Sequence, residues 1–265
     1  MKISFLVTTH NETEVLIAIL GQLEKYLKDT DHDDEVVILD DYSDVKSTQE
    51  IIQNYKKIPG FKVVQHKLDV HTDGFGGHKQ FGNEHCEGDY IFQVDADEYF
   101  SESLLYNLKD LLTTNPTVDL FLIPRVNIIR GLTEWNYAKF GWHISKLTDF
   151  SDTTVFNDRE DEYKFLKKFG FVINEHHISE TQLHVTYNLP IINWKSGDYQ
   201  FRLYKNSCNI QWKRPLHELI VGAEVQTYLP IDPKWALIHD KTMERQEQQN
   251  NFYMTEFSKE MNTRS

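Results

Sequence analysis

Asp89-Tyr90-Ile91-Phe92-Gln93-Val94-Asp95-Ala96-Asp97-Glu98 is the stretch that decides the fold. A short apolar run leads into two aspartates one residue apart. The run reads as a buried strand, which puts the carboxylates at its C-terminal end. In an open α/β sheet, ligands bind outside the carboxyl ends of the strands. Two hard oxygen ligands there can hold a divalent cation, and a cation can hold a diphosphate. The plainer alternative is a turn whose acids cap the helix that begins at Ser101. Placement at the end of the fourth strand of a strand–helix alternation favours the ligand reading.

Upstream, strand and helix patterns alternate. Ile3–Val7 reads as the first strand. Glu12–Leu27 carries Val15, Ile19, Leu20, Leu23 and Leu27 at helical spacing. Glu35–Leu39 is a second strand, and a helix from Val45 to Lys57 stops before Pro59-Gly60. Phe61–Gln65 is a third strand, His78–Cys86 a helix and Tyr90–Val94 the fourth strand. Ser101 caps a helix over Glu102–Leu112, and Asp119–Ile123 is a fifth strand. Such units imply a mostly parallel α/β sheet with right-handed crossovers, Rossmann-like and flanked by helices.

After Pro124 the alternation breaks. Residues 130–198 are aromatic and polar, with Trp135, Tyr137, Phe140, Trp142 and His143 clustered and Asp158-Arg159-Glu160-Asp161-Glu162 following. This reads as an acceptor-side insertion, partly helical, whose aromatic cluster is either its core or a stacking surface. Alternation returns at Gln200–Tyr204 and Trp235–Ile238. Lys241–Ser265 reads as a C-terminal helical tail. The expectation is one domain over residues 1–265, with a nucleotide-binding half (1–125), an acceptor half (126–240) and a tail (241–265).

The chain has 265 residues, 40% of them hydrophobic and 13% aromatic, which supports a packed core. A net charge of −13 argues against a general nucleic-acid coat. An acidic protein handling an anionic nucleotide must place its cations locally. Cys86 and Cys208 form neither a disulfide framework nor a zinc cluster, which suits a reducing, cytoplasmic setting. No apolar stretch reaches the length of a membrane span, and Met1–His10 is too soon polar for a secretory signal.

Other strand ends carry candidates. Thr8-Thr9-His10-Asn11-Glu12 is a capped helix start against which a base and ribose could also pack, with Thr8, His10 and Glu12 as contacts. Asp40-Asp41-Tyr42-Ser43-Asp44 is either a solvated acidic turn or an acceptor of nucleoside hydrogen bonds through Asp41. The loop Gly74-Phe75-Gly76-Gly77-His78-Lys79 could bring Lys79 and backbone N–H groups to a phosphate, although it is neither a dinucleotide fingerprint nor a P-loop. At the fourth strand, Asp97 would ligate Mn²⁺ or Mg²⁺, and Asp95 would reach the ribose or the metal through water. Glu98 would cap or orient. Arg202, Lys213 and Arg214 either neutralise diphosphate or balance surface acids.

Taken together, Val7–Glu12, Leu39–Asp44, Lys79 with Asn83, and Val94–Glu98 resemble family 2 glycosyltransferases of the GT-A fold, in order over roughly the first 125 residues. The resemblance implies a nucleoside-diphosphate-sugar donor, most often a UDP-sugar, and a divalent metal. It puts Asp41 near the base and Asp97 on the metal. The first loop departs from it, with Thr-Thr-His-Asn where many members carry Pro-x-Tyr-Asn. A further segment, Phe201-Arg202-Leu203-Tyr204-Lys205-Asn206 through Pro215-Leu216-His217-Glu218, resembles the branch with bacterial lipopolysaccharide-core transferases. In that branch the acid after the histidine is the base, which here is Glu218. A histidine after a late strand completes the metal site in related enzymes, and His239 is the counterpart. The implied reaction is inverting transfer to a hydroxyl, with a saccharide as acceptor. Modified DNA is the alternative acceptor; it would need Lys139, Lys146, Lys164, Lys167 and Lys168 to form one basic strip. Competing classes are a nucleotidyltransferase, whose glycine-rich loop after the first strand is absent, and a non-catalytic nucleotide-sugar binder.

Overall fold

The computed structural model describes residues 1–30, 32–142, 144–155, 160–168, 170, 172–179, 182–192 and 198–257. His143, Asp158 and Arg159 lie outside the described residues, as does the side chain of Lys146. The contacts divide the chain into two compact units: 1–124 with 199–237 and 251–265, and 125–198 with 238–250.

In chain order the elements begin with β1 (Ile3–Thr9), α1 (Glu14–Asp29), β2 (Glu35–Asp40), α2 (Lys46–Tyr55), β3 (Phe61–Gln65) and α3 (Gly74–Asn83). Next come β4 (Tyr90–Asp95), β5 (Glu98–Phe100), α4 (Glu102–Tyr106), α5 (Leu108–Thr114) and β6 (Leu120–Arg130). The region after β6 holds α6 (Glu134–Phe140), β7 (Ile144–Val155), α7 (Glu160–Lys168), β8 (Val172–His177) and β9 (Gln182–Ile192). The chain closes with β10 (Tyr199–Lys205), β11 (Gln211–Lys213), β12 (Leu219–Val221), β13 (Gln226–Tyr228), β14 (Leu237–Thr242) and α8 (Met243–Glu256).

The first unit is built on the order β3-β2-β1-β4-β10-β6. β1 pairs in parallel with β2 and β4, and β2 with β3, as the sequence predicts. β10 enters antiparallel between β4 and β6. The parallel strands are mostly apolar because helices cover both faces. On one face α1 contributes Leu16, Ile19, Leu20, Leu23 and Tyr26 to the core. There Phe5 meets Tyr26 and Phe100 edge-on, at centroid distances of 5.5 and 5.7 Å. Each such pair adds about 0.5–1.5 kcal/mol beyond the area it buries.

Several expected boundaries move. The fifth strand does not stop at Ile123; β6 runs through Pro124 to Arg130. The helix expected from Glu102 to Leu112 is broken at Asn107, whose dihedrals leave the helical region. Its Ser101 cap is present, accepting from the Leu104 N–H. The helix expected from His78 begins at Gly74 instead, because three glycines fill its first turn for packing reasons given below. The insertion is mainly β: β9 pairs antiparallel with both β7 and β8. Strand signals were weak there because β7 and β8 are rich in Ser, Thr, Asp, Asn and His. Trp135 is 61% exposed on α6, so it is not the centre of a buried cluster. Phe140 and Trp142 stack on each other at 4.7 Å.

Candidate active site

Four parallel strands end side by side. Their register aligns Thr9 with Asp40, Thr8 with Asp95 and Asp40 with Gln65. The loops that leave these ends therefore converge at one carboxyl edge.

The first two loops are locked together by polar side chains. Glu12 accepts from the Thr9 hydroxyl at 3.0 Å and from the His10 N–H at 2.6 Å, closing the β1–α1 loop. His10 Nδ1 lies 2.8 Å from the Asp41 carbonyl and 3.6 Å from the Asp41 carboxylate. That carboxylate also accepts from the Leu68 N–H at 2.9 Å and faces Lys67 at 3.3 Å. Asn11 and Tyr42 both sit at positive φ, 61° and 47°, a conformation costly for side-chain-bearing residues and common at functional loops. Asn11 is held there because its amide oxygen accepts from the N–H groups of Asp44 and Val45.

Beside them lies a knot of charge at the end of β4. Asp95 Oδ1 accepts from Thr8 Oγ1 at 2.8 Å and from Gln93 Nε2 at 2.9 Å. Asp95 Oδ2 accepts from Arg202 at 2.7 Å, and the same guanidinium reaches Glu98 at 2.7 Å. The other terminal nitrogen of Arg202 donates to Gln93. Arg202 is 2% exposed and its Nε has no hydrogen-bond partner among the described residues. Burial pushes the Asp95 carboxyl up, but Arg202 and Lys79 pull harder and hold it well below the ordinary carboxylate range. Glu98 both accepts from the Asp95 N–H and pairs with Arg202, so it orients the turn.

Lys79 joins this knot to Glu218. Its ammonium is 2.5 Å from Glu218 Oε1, 3.5 Å from Asp95 Oδ1 and 4.9 Å from the centre of the Trp212 ring. Burial raises the Glu218 carboxyl, and the Lys79 charge more than offsets it, so Glu218 stays ionised. Glycine makes this approach possible. A Cβ on Gly76 would lie 2.4 Å from the Arg214 carbonyl oxygen, and one on Gly74 2.4 Å from the Pro215 Cα. The segment before Glu218 thus lies directly on the first turn of α3. The N–H groups of Phe75 and Gly76 donate to the Pro215 and Arg214 carbonyls. The expectation that these N–H groups face a phosphate is corrected: they hold the loop that carries Glu218. Arg214 and His217 take positive φ, 73° and 53°, to make that loop.

In the second unit, His239 Nδ1 lies 2.9 Å from Asn127 Oδ1. Asn127 and Arg125 both donate to Asp198, at 2.7 and 2.9 Å. Lys139 lies over Trp135, and Lys167 and Lys168 pair with Glu175 and Glu134. Those lysines are thus offset by acids or rings.

For a divalent ion, the half-buried Asp97 offers hard oxygen donors of the right kind. Both oxygens of Asp95 already accept hydrogen bonds. Among the described residues no group of three or more His, Cys, Asp and Glu side chains forms a ready ligand cage.

The sequence model of glycosyl transferase family 2 matches residues 4–173, well over half of the chain. The chain belongs to this family. The match ends before Phe201–Glu218, so the likeness to the lipopolysaccharide-core branch rests on that segment's sequence alone. The chain is 30% identical over 106 residues to poly(ribitol-phosphate) β-N-acetylglucosaminyltransferase TarS of Staphylococcus aureus, spanning 40% of this chain and 18% of that one. Two crystal structures of TarS residues 1–349, one in complex with UDP-GlcNAc, align over 91% of the chain at a TM-score of 0.51 and 18% identity. They cover 60% and 59% of those chains and establish the likeness in fold, a GT-A-like sheet. The expectation of a glycosyltransferase thus holds at the level of the family.

Sequence reasoning singled out Thr8, Asp41, Lys79, Asp95 and Glu218 one at a time; the first unit gathers Thr8, Lys79, Asp95 and Glu218 into one network. It missed Gln93 and gave Arg202 only a general role. The signal was there: a polar side chain inside an apolar strand must find a buried partner.

Proposed function

We propose that the protein is a metal-dependent inverting glycosyltransferase that moves a sugar from a UDP-sugar to a hydroxyl of a saccharide or polyol-phosphate chain. The observation that carries this reading is the ionised Glu218 held beside Lys79 and Asp95 at the carboxyl edge of the sheet. The name of the TarS relative supports the acceptor class, and the UDP-GlcNAc complex of TarS supports the donor class.

Asp41, fixed by Leu68 and His10, would accept from the nucleoside. Lys79 would neutralise the diphosphate. Asp97, with Asp95 as a further candidate, would hold Mn²⁺ or Mg²⁺, which when bound stabilises charge on the leaving diphosphate. Glu218 would take the proton from the acceptor hydroxyl as that oxygen attacks the anomeric carbon and the sugar–phosphate bond breaks.

The test is a donor panel of UDP-, GDP- and dTDP-sugars, with Mn²⁺ or with chelator. One nucleoside diphosphate should be released, and release should stop with chelator and in Asp97→Ala. No metal-dependent binding of any sugar nucleotide would overturn the reading.

A further inference from the structure

The pairing of Lys79 with Glu218 has the wrong partner for turnover. A base must offer its carboxylate to the acceptor hydroxyl, yet Glu218 Oε1 holds an ammonium at 2.5 Å. The knot contains three carboxylates, Asp95, Glu98 and Glu218, and two cations, Lys79 and Arg202. Arg202 is committed: its two terminal nitrogens hold Gln93, Asp95 and Glu98. Lys79 is different. It makes one short bond, to Glu218, and a looser contact at 3.5 Å, to Asp95, from the end of a flexible four-carbon stem.

We infer that Lys79 masks Glu218 until a donor diphosphate draws the ammonium away. This rests on Glu218 being the base. A diphosphate is more highly charged than a carboxylate, and Lys79, although only 5% exposed, is the less tightly held of the two cations. Its departure leaves Glu218 without its partner at the moment a donor is in place. The base is thus unmasked by the donor, and productive acceptor binding follows the donor.

Competition for Lys79 can be measured without knowing the acceptor, using UDP itself as the probe and calorimetry on the full chain. If Glu218 and the diphosphate compete, Glu218→Gln binds UDP more tightly, by roughly tenfold, the scale of one charge-assisted hydrogen bond. Uridine, which has no phosphate, gains nothing. Lys79→Met weakens UDP binding, and in that background Glu218→Gln has no further effect. Unchanged or weaker UDP binding by Glu218→Gln overturns the mask, as does an equal gain for uridine. Because the Glu218→Gln arm stands alone, a poorly folding Lys79→Met leaves the test intact. Donor turnover separates this idea from the one beneath it. A Glu218→Gln protein that still turns over removes the base. A dead Glu218→Gln with parental UDP affinity removes the mask and leaves the base.

Discussion

Alanine at Gly76 tests whether the glycines of α3 exist to seat the Glu218 loop. In an isolated helix, Gly→Ala stabilises by about 1 kcal/mol. Here the added Cβ would sit 2.4 Å from the Arg214 carbonyl oxygen and 2.9 Å from the Lys213 carbonyl carbon, both backbone atoms. Relief requires moving the loop, at an overpacking cost of about 1–3 kcal/mol. The Gly76 N–H to Arg214 carbonyl bond of 3.1 Å is lost with it, about another 1 kcal/mol. The helix gain offsets only part of this, leaving a net loss of about 1–3 kcal/mol and a Tm lower by roughly 2–10 °C. Glu218 lies four residues beyond Arg214, and a shift of about 1 Å at a reacting group can cost about 100-fold in rate. Thermal melting and donor turnover read both effects. Gly21 is the control: it lies inside α1, and its added Cβ would meet only the Tyr55 hydroxyl at 3.8 Å, an ordinary contact. Gly21→Ala should therefore melt higher than the parent. If Gly76→Ala behaves like Gly21→Ala, the loop does not depend on this glycine face and the account of how Glu218 reaches Lys79 fails.

Arg202→Met leaves Asp95 and Glu98 without their shared cation and should destabilise by about 3–5 kcal/mol in urea titrations; a loss under 1 kcal/mol would show that the knot is not held by Arg202. His78 is 5% exposed, and burial lowers its pKa to about 4, so the unfolded chain binds a proton that the folded one refuses as pH falls from the ordinary value. Stability should therefore drop by about 2 kcal/mol between pH 7 and pH 5, and His78→Gln should flatten that part of the urea-midpoint profile. Below it, the depressed carboxylates Asp95 and Glu218 act in the same direction as His78, at lower pH. Their contribution is complete above about pH 5 and is lost as pH falls below about 4, so the His78→Gln protein should hold its midpoint to that point and then lose it.

The parallel half of the fold was legible because its strands are buried on both faces. A continuous apolar run bounded by Gly, Pro or Asp leaves little choice, and β3 begins and ends where the sequence places it. The insertion was not legible for the complementary reason. Strands such as Ile144–Val155 and Val172–His177 alternate few apolar residues, and Ile144–Val155 takes its backbone partner, β9, from beyond a helix and another strand. β6 was read too short because proline usually ends a strand, yet Pro124 stands opposite Tyr199 at the last paired position with β10.

For the site, the sequence made the strand-end acids visible and hid their relations. The D-x-D aspartates stand out as carboxylates after an apolar run. That Asp95 would be gripped by an arginine 107 residues away follows only once β10 is known to enter antiparallel beside β4. The glycines after Asp73 show the limit most clearly. Gly-x-Gly-Gly before a lysine invites a phosphate, because glycine lets a ligand approach backbone N–H groups. The same absence of Cβ also lets another stretch of backbone approach, and here the carbonyls of Arg214 and Pro215 occupy those donors. Composition does not distinguish the two uses. Only the partner does, and the partner is the segment that delivers Glu218 to the next turn of the same helix.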